Sequence, residues 1–191
     1  GEECLLGTAL DITARERHAS EMRKLARALE QTADIVMITD RDGSIEYVNP
    51  AFEKITGYSA AEALGAQPNL LYSERQGPDF YRALWDTILS GEVFSDIFIN
   101  KTKAGSLYYE QKTITPLRDP HGEITNFVAT GRDISDRIEI EEQLRFLAQH
   151  DTLTALPNRV KLLDHLMKTL AGARTHDRMV AVLFLDIDRF K

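Results

Sequence analysis

The sequence predicts an α+β domain built on a five-stranded antiparallel sheet with flanking helices, and three observations carry that expectation. The element order is strand, strand, three short helices, then three strands, which is a run of antiparallel strands around inserted helices rather than an alternating parallel arrangement. Tight-turn chemistry joins the strand candidates, at Asp42-Gly43, Lys103-Ala104-Gly105 and Asp119-Pro120-His121-Gly122. The segment Ser44 to Asn49 alternates apolar and polar residues, as a half-buried strand does.

Taken in order, Asp34 to Asp40 is a short apolar run with β-branched residues, and it pairs with Ser44 to Asn49 as a hairpin. Asn49-Pro50 opens a helix, with Asn as N-cap and Pro in the first turn, and the helix ends near Gly57. Phe52 and Ile55, three apart, turn one face of it toward the sheet. Ser59 with Glu62 three residues later is a capping box for another short helix, stopped by Gly65. Pro78 to Ser90 is a longer helix with Phe80, Leu84, Ile88 and Leu89 on one face and Gly91 as its stop. Three strands follow: Val93 to Lys101, Ser106 to Leu117 and Glu123 to Ile134. Polar helical segments flank this region. Ala14 to Gln31 carries Met22, Leu25 and Leu29, and Asp136 to Gln149 carries Ile140, Leu144 and Leu147, spaced as coiled-coil seams are.

The chain has 191 residues, 43% of them hydrophobic and 28% charged, which suits a folded soluble protein and not a disordered tail. Its net charge of −7 argues against a nucleic-acid-binding surface. One cysteine, Cys4, permits no disulfide framework and no thiolate metal site within the chain, and suits a reducing cytosol. The longest strongly apolar run, Met179 to Leu185, is far too short to span a bilayer, and the opening residues have no basic region of a signal peptide. A cytoplasmic location with no membrane contact within this chain is therefore expected.

Both ends carry further patterns. Leu5 to Thr13 reads as the end of a strand, and Thr8 to Arg15 matches Thr130 to Arg137 at a constant offset. That predicts a preceding copy of the same domain. Met179 to Leu185 is continuously apolar, as in a parallel strand buried on both faces, and Asp186 and Asp188 follow at its carboxyl end, where ligands of α/β sheets collect.

Residues 31–137 resemble PAS domains. The matching pieces are Ile38 to Ile45, Tyr47 to Phe52, Ile55 to Tyr58 and Gly131 to Ser135, in order through the whole region. The resemblance implies the PAS fold and a relay in which Asp133 and Ile134, the counterpart of an Asp-Ile-Thr-like motif, couple the sheet to the following helix, with Leu144 in its seam. Asp133 also reads as a plain charge favouring a helix N-terminus.

The segments Leu147 to Arg159 and Phe184 to Lys191 resemble the start of GGDEF diguanylate cyclase domains, with one departure at Ala155, where glycine is commoner. The resemblance implies an incomplete GGDEF α/β fragment. In a complete domain Asp186 would bind a Mg²⁺ holding GTP, and backbone amides of Arg189, Phe190 and Lys191 would meet its phosphates. The sequence contains no Gly-Gly-Asp-Glu-Phe loop, so no cyclase activity is expected of this chain, and the strand at Met179 to Leu185 is expected to lack packing partners. The division expected is 1–13 as the end of a preceding PAS domain, 14–31 a linker helix, 32–137 the PAS domain, 138–150 a signalling helix and 151–191 the GGDEF fragment. The family further implies a homodimer through the PAS domain and the linker helices.

Several ligands can be weighed against the residues. A cysteinyl–flavin bond needs a core cysteine, and Cys4 lies outside the domain. Haem needs an axial ligand, and the domain's only histidine, His121, sits in a turn. Ala83-Leu84-Trp85 and Ile99-Asn100-Lys101 resemble FAD-binding PAS domains of nitrogen-fixation and methane-oxidation regulators. That resemblance implies Trp85 packing near a flavin and the Asn100 amide pairing with its edge. FAD is the runner-up: the commonest outcome for such a domain is no tight cofactor, so that it acts as a dimerisation and relay module or binds a small molecule weakly, with Trp85 as core and Asn100 as a strand end. A stand-alone interaction module is a further alternative.

Overall fold

The computed structural model describes residues 13–175 and 179–183. Contacts divide the chain between Asp136 and Arg137 into two compact units. The first unit contains the sheet. Helix α1 (Thr13–Gln31) leads into strands β1 (Ile35–Asp40) and β2 (Ile45–Val48), helices α2 (Pro50–Thr56) and α3 (Ala60–Ala63), a 3₁₀ turn (Pro68–Leu71), helix α4 (Pro78–Leu89), and strands β3 (Phe94–Lys101), β4 (Leu107–Arg118) and β5 (Ile124–Asp133). The five strands lie in the order β2-β1-β5-β4-β3, with every pair antiparallel. The α+β expectation with a five-stranded antiparallel sheet is met.

Local chemistry explains the turns. Asp40 Oδ1 accepts from the N–H groups of Asp42 and Ser44, and Gly43 takes φ 85°, which closes the first hairpin. Asp119 repeats the device for β4 and β5, accepting from His121 and Glu123 N–H. Asn49 does more than cap α2. Its Oδ1 accepts from Phe52 N–H and Val36 N–H, and its Nδ2 donates to the carbonyls of Leu29 and Asp34. One buried amide thus fastens the end of α1, the start of β1 and the start of α2 together. The capping box forms, with Ser59 N–H donating to Glu62 Oε2.

The helices between β2 and β3 cover one face of the sheet. Phe52 is fully buried and packs with Ile35, Ile45, Leu71, Leu84, Ile88 and Phe127, among others. Burying a side chain of that size stabilises the fold by about 1.5–3 kcal/mol. The face predicted for α4 needs one correction. Leu84 and Ile88 are buried and Phe80 packs against the core, but Leu89 is 50% exposed. One residue is 100° of helical turn, which carries Leu89 off the stripe that Phe80, Leu84 and Ile88 share at steps of four. The 3₁₀ turn at Pro68–Leu71 has no counterpart in the sequence reading.

In the second unit, α5 (Ser135–Gln149) is followed by a loop and α6 (Arg159–Thr175). Asp151 Oδ1 accepts from Leu153 N–H, Thr154 N–H and the Thr154 hydroxyl, and the last of these holds its carboxyl below the usual carboxylate range. Ala155 has φ 57°, a left-handed conformation that explains why glycine is commoner there. The strand predicted at Met179 to Leu185 is absent over residues 179–183, which carry no regular structure; Met179 and Leu183 are exposed. No neighbouring strand is present among the described residues of this unit to accept its backbone hydrogen bonds. Residues 1–12, which carry most of the predicted opening strand and of the first repeat copy, lie outside the described residues, and Thr13, assigned to that strand, instead begins α1.

Candidate functional site

A cavity of about 170 Å³ opens between the inner face of the sheet, α4 and the 3₁₀ turn. One water needs roughly 10–15 Å³ by a comparable measure, so the space suits a small organic group. Its walls are mostly apolar: Met37, Leu84, Ile88, Phe98, Ile114 and Phe127 come from four strands and α4. Both residues predicted for flavin contact, Trp85 and Asn100, line it. Trp85 is 37% exposed and stands edge-on to Phe127 with ring centroids 6.1 Å apart. The turn glycine Gly43 makes room for it, because a Cβ there would lie 3.1 Å from Trp85 Cη2.

The polar end of the cavity lies on β3 and β4. Side chains alternate along a strand, so Tyr108, Glu110, Lys112 and Ile114 share the buried face of β4. Asn100 and Lys112 line the cavity. Asn100 Nδ2 donates to Glu110 Oε2 at 2.6 Å, and Lys112 Nζ lies 3.0 Å from the same oxygen. The Tyr108 hydroxyl reaches it at 3.4 Å. Burial, and then the Glu110 charge, push the Tyr108 hydroxyl far above its usual pKa, so it stays a neutral donor. Glu110 is fully buried, and its Oε1 has no hydrogen-bond partner. Lys112 Nζ also sits 4.9 Å from the centroid of the Phe98 ring. Asn100 Oδ1 takes part in none of these bonds, which leaves one carbonyl acceptor in the cavity wall without a donor among the described residues. Sequence reasoning missed Glu110 and Lys112. The signal was available: two charges at alternate positions on a face otherwise occupied by Tyr108 and Ile114.

The other predicted residues fall elsewhere. Asp133 ends β5, and its Oδ1 accepts from Ser135 N–H and the Ser135 hydroxyl. Ile134 N–H donates to the Tyr109 carbonyl, while Tyr109 N–H donates to Ser135 Oγ. The exit of β5 is thereby clamped on both sides of Tyr109, between Tyr108 and Glu110 of the polar cluster. Leu144 is 60% exposed on α5. His121 is exposed in its turn and is not part of the cavity. Asp186, Arg189, Phe190 and Lys191 lie outside the described residues.

The PAS fold family model matches residues 23–134, more than half of the chain. The chain belongs to the PAS family. Behind the PAS domain, residues 148–191 match the diguanylate cyclase GGDEF domain model. The "Nitrogen fixation regulatory protein" of Klebsiella pneumoniae is 34% identical over 138 residues, covering 71% of this chain and 28% of that protein. The "Probable diguanylate cyclase DgcE" of Escherichia coli (strain K12) is 30% identical over 200 residues, covering 99% of this chain and 18% of that protein. This chain thus spans less than a third of either relative's length. A light-oxygen-voltage domain whose structure was solved in work with a flavin analogue superposes on the PAS domain with a TM-score of 0.54 and 25% identity, covering 63% of this chain and 95% of that one. Among the described residues no helix is long and apolar enough to cross a membrane.

Proposed function

We propose that this chain is the sensory part of a cytoplasmic cyclic di-GMP signalling protein, in which the PAS domain holds FAD and α5 carries the state of the cavity toward a cyclase domain. One observation carries the reading: an apolar cavity with aromatic walls ends at the unpartnered Asn100 carbonyl, in a PAS domain followed by GGDEF sequence. The residues suit an isoalloxazine ring chemically. Trp85, Phe98 and Phe127 offer apolar surface to flat rings. Asn100 offers an acceptor to a polar ring edge, and Lys112 brings a cation to the same end. When bound, FAD supplies one- and two-electron redox chemistry. Redox sensing is favoured over adduct photochemistry because no described residue lining the cavity is a cysteine.

The output belongs to the same proposal. In a complete GGDEF domain Asp186 would hold a Mg²⁺ that carries GTP, and the backbone amides of Arg189, Phe190 and Lys191 would meet its phosphates. Cyclic di-GMP joins two GTP molecules, one held by each of two subunits, so the spacing of a homodimer controls rate. Asp133 and Ile134 relay the change from the sheet, and Leu144 lies in the helical seam between subunits. The 191 residues contain no Gly-Gly-Asp-Glu-Phe motif.

The test is direct. Protein prepared with FAD retains visible flavin absorbance through gel filtration and gains thermal stability from it, since selective binding to the folded state stabilises. Asn100→Leu weakens retention about tenfold or more. Colourless protein whose melting temperature does not respond to FAD sinks the flavin reading. The domain would then be a dimerisation module, which the exposed Ile140 and Leu144 on α5 favour.

A further inference from the structure

We infer that Glu110 is a positioning residue for ligand recognition: it locks the Asn100 amide so that the cavity reads a flat heterocycle carrying an N–H beside a C=O, a lactam or imide edge. The choice of probe rests on the flavin proposal above; the lock itself does not.

An asparagine amide is nearly symmetric in shape, and either end can face a ligand unless a neighbour decides. Glu110 decides here. An ionised carboxylate only accepts, so the amide must turn its NH₂ toward Glu110 Oε2, 2.6 Å away. The carbonyl oxygen is left for the cavity, and an acceptor there calls for an N–H on the ligand. Lys112, whose ammonium is 3.0 Å from Glu110 Oε2, lines the same end and calls for an acceptor beside that N–H. A lactam or imide edge presents that adjacent pair.

A counter-charge stands beside the Glu110 carboxylate. The carboxylate is fully buried, and Lys112 supplies the compensating charge at 6% side-chain exposure. Asn100, Lys112 and Tyr108 all approach Oε2. The other oxygen, Oε1, is wedged against β5. A Cβ on Gly131 would lie 1.7 Å from it, so only glycine leaves the carboxylate its place. With β4 behind it and β5 against it, Glu110 has little room to swing away from Asn100. Asn100 is itself held in the sheet by its pairing with Tyr108.

The test compares the full chain with Glu110→Gln, using lumiflavin and 3-methyl-lumiflavin, in which a methyl group replaces the ring N–H. A Gln carboxamide both donates and accepts, so it no longer dictates the amide's orientation. Wild-type protein binds lumiflavin at least tenfold more tightly than the methylated probe. In Glu110→Gln that ratio falls to about threefold or less. A retained wild-type ratio, or an equal loss of affinity for both probes, overturns the inference, because a purely structural role weakens both alike. If Glu110→Gln fails to fold with Lys112 uncompensated, Glu110→Gln/Lys112→Met removes both charges and serves in its place. The ligand-free arm is NMR of the Asn100 side-chain amide. The lock predicts one proton shifted downfield and slow to exchange in the wild type, and neither property in the variants. An ordinary, fast-exchanging Asn100 amide in the wild type overturns the lock even if flavins bind. Failure of both flavins to bind, with the shifted proton present, sinks the flavin reading and leaves the lock standing.

Discussion

At the residue scale, the buried charge pair carries the largest stakes. Glu110 and Lys112 lie on one face of β4, both almost wholly removed from water. Removing one partner strands the other charge, which costs about 3–5 kcal/mol, whereas removing both together is often far milder. Lys112→Met is therefore expected to lower stability by that amount in denaturant unfolding, and Glu110→Gln/Lys112→Met to recover much of the loss. Additive losses in the double variant would show that the two groups do not act as a pair. Ala155 offers the opposite case. Its φ of 57° is strained for any residue with a Cβ, so Ala155→Gly is expected to stabilise the loop between α5 and α6. The gain should be about 0.5–1 kcal/mol, after allowance for glycine's greater freedom when unfolded. Hydrogen exchange of the loop amides measures it.

At the element scale, α5 shows an apolar stripe that stands exposed among the described residues. Ile140, Leu144 and Leu147 are each more than half exposed, although their spacing is that of a seam. An isolated helix with such a face gains little from intrinsic propensity and needs packing to persist. The proposed second copy supplies that packing. Leu144→Glu places a charge in the seam and is expected to shift sedimentation toward monomer, leaving the fold of the PAS domain unchanged. Unaltered association would remove α5 from the dimer interface. The start of the same helix is settled within the sheet's own unit, where Asp133 and Ser135 close the β5 exit against Tyr109.

At the scale of the whole molecule, two carboxylates tie distant stretches of chain together and set an acid limit. The Lys103 ammonium, then the Ser59 N–H, depress the Glu62 carboxyl from 4.5 to about 2. The Arg132 guanidinium, bonded to both oxygens of Asp34, holds that carboxyl below its usual value of 3.8. Both folded-state values lie below the unfolded ones. Their stabilisation is therefore complete above the unfolded values and is lost as pH falls toward the folded ones. Urea unfolding midpoints are expected to fall between pH 4.5 and about 2, and less steeply in Lys103→Met, whose Glu62 titrates nearer its unfolded value. An identical slope in that variant would mean that Glu62 contributes nothing to acid sensitivity.

Sequence alone determined what local chemistry decides. The turns at Gly43 and Gly122, the Asn49 cap, the Ser59–Glu62 box and the strand order along the chain follow from residues near each other in the chain. Those signals made the α+β architecture legible, whereas Trp85 and Asn100, which line the cavity, were reached through the resemblance to FAD-binding PAS domains. What the tertiary structure decided lies between strands. Glu110 meets Asn100 because β3 and β4 pair in one register, and Gly131 makes space for it because β5 lies on the other side. A carboxylate and an amine two residues apart look like surface charges until the sheet shows which face of β4 is buried. The direction in which Asn100 points its oxygen is invisible to its own neighbours in sequence, because a residue ten positions away, brought close only by folding, sets it.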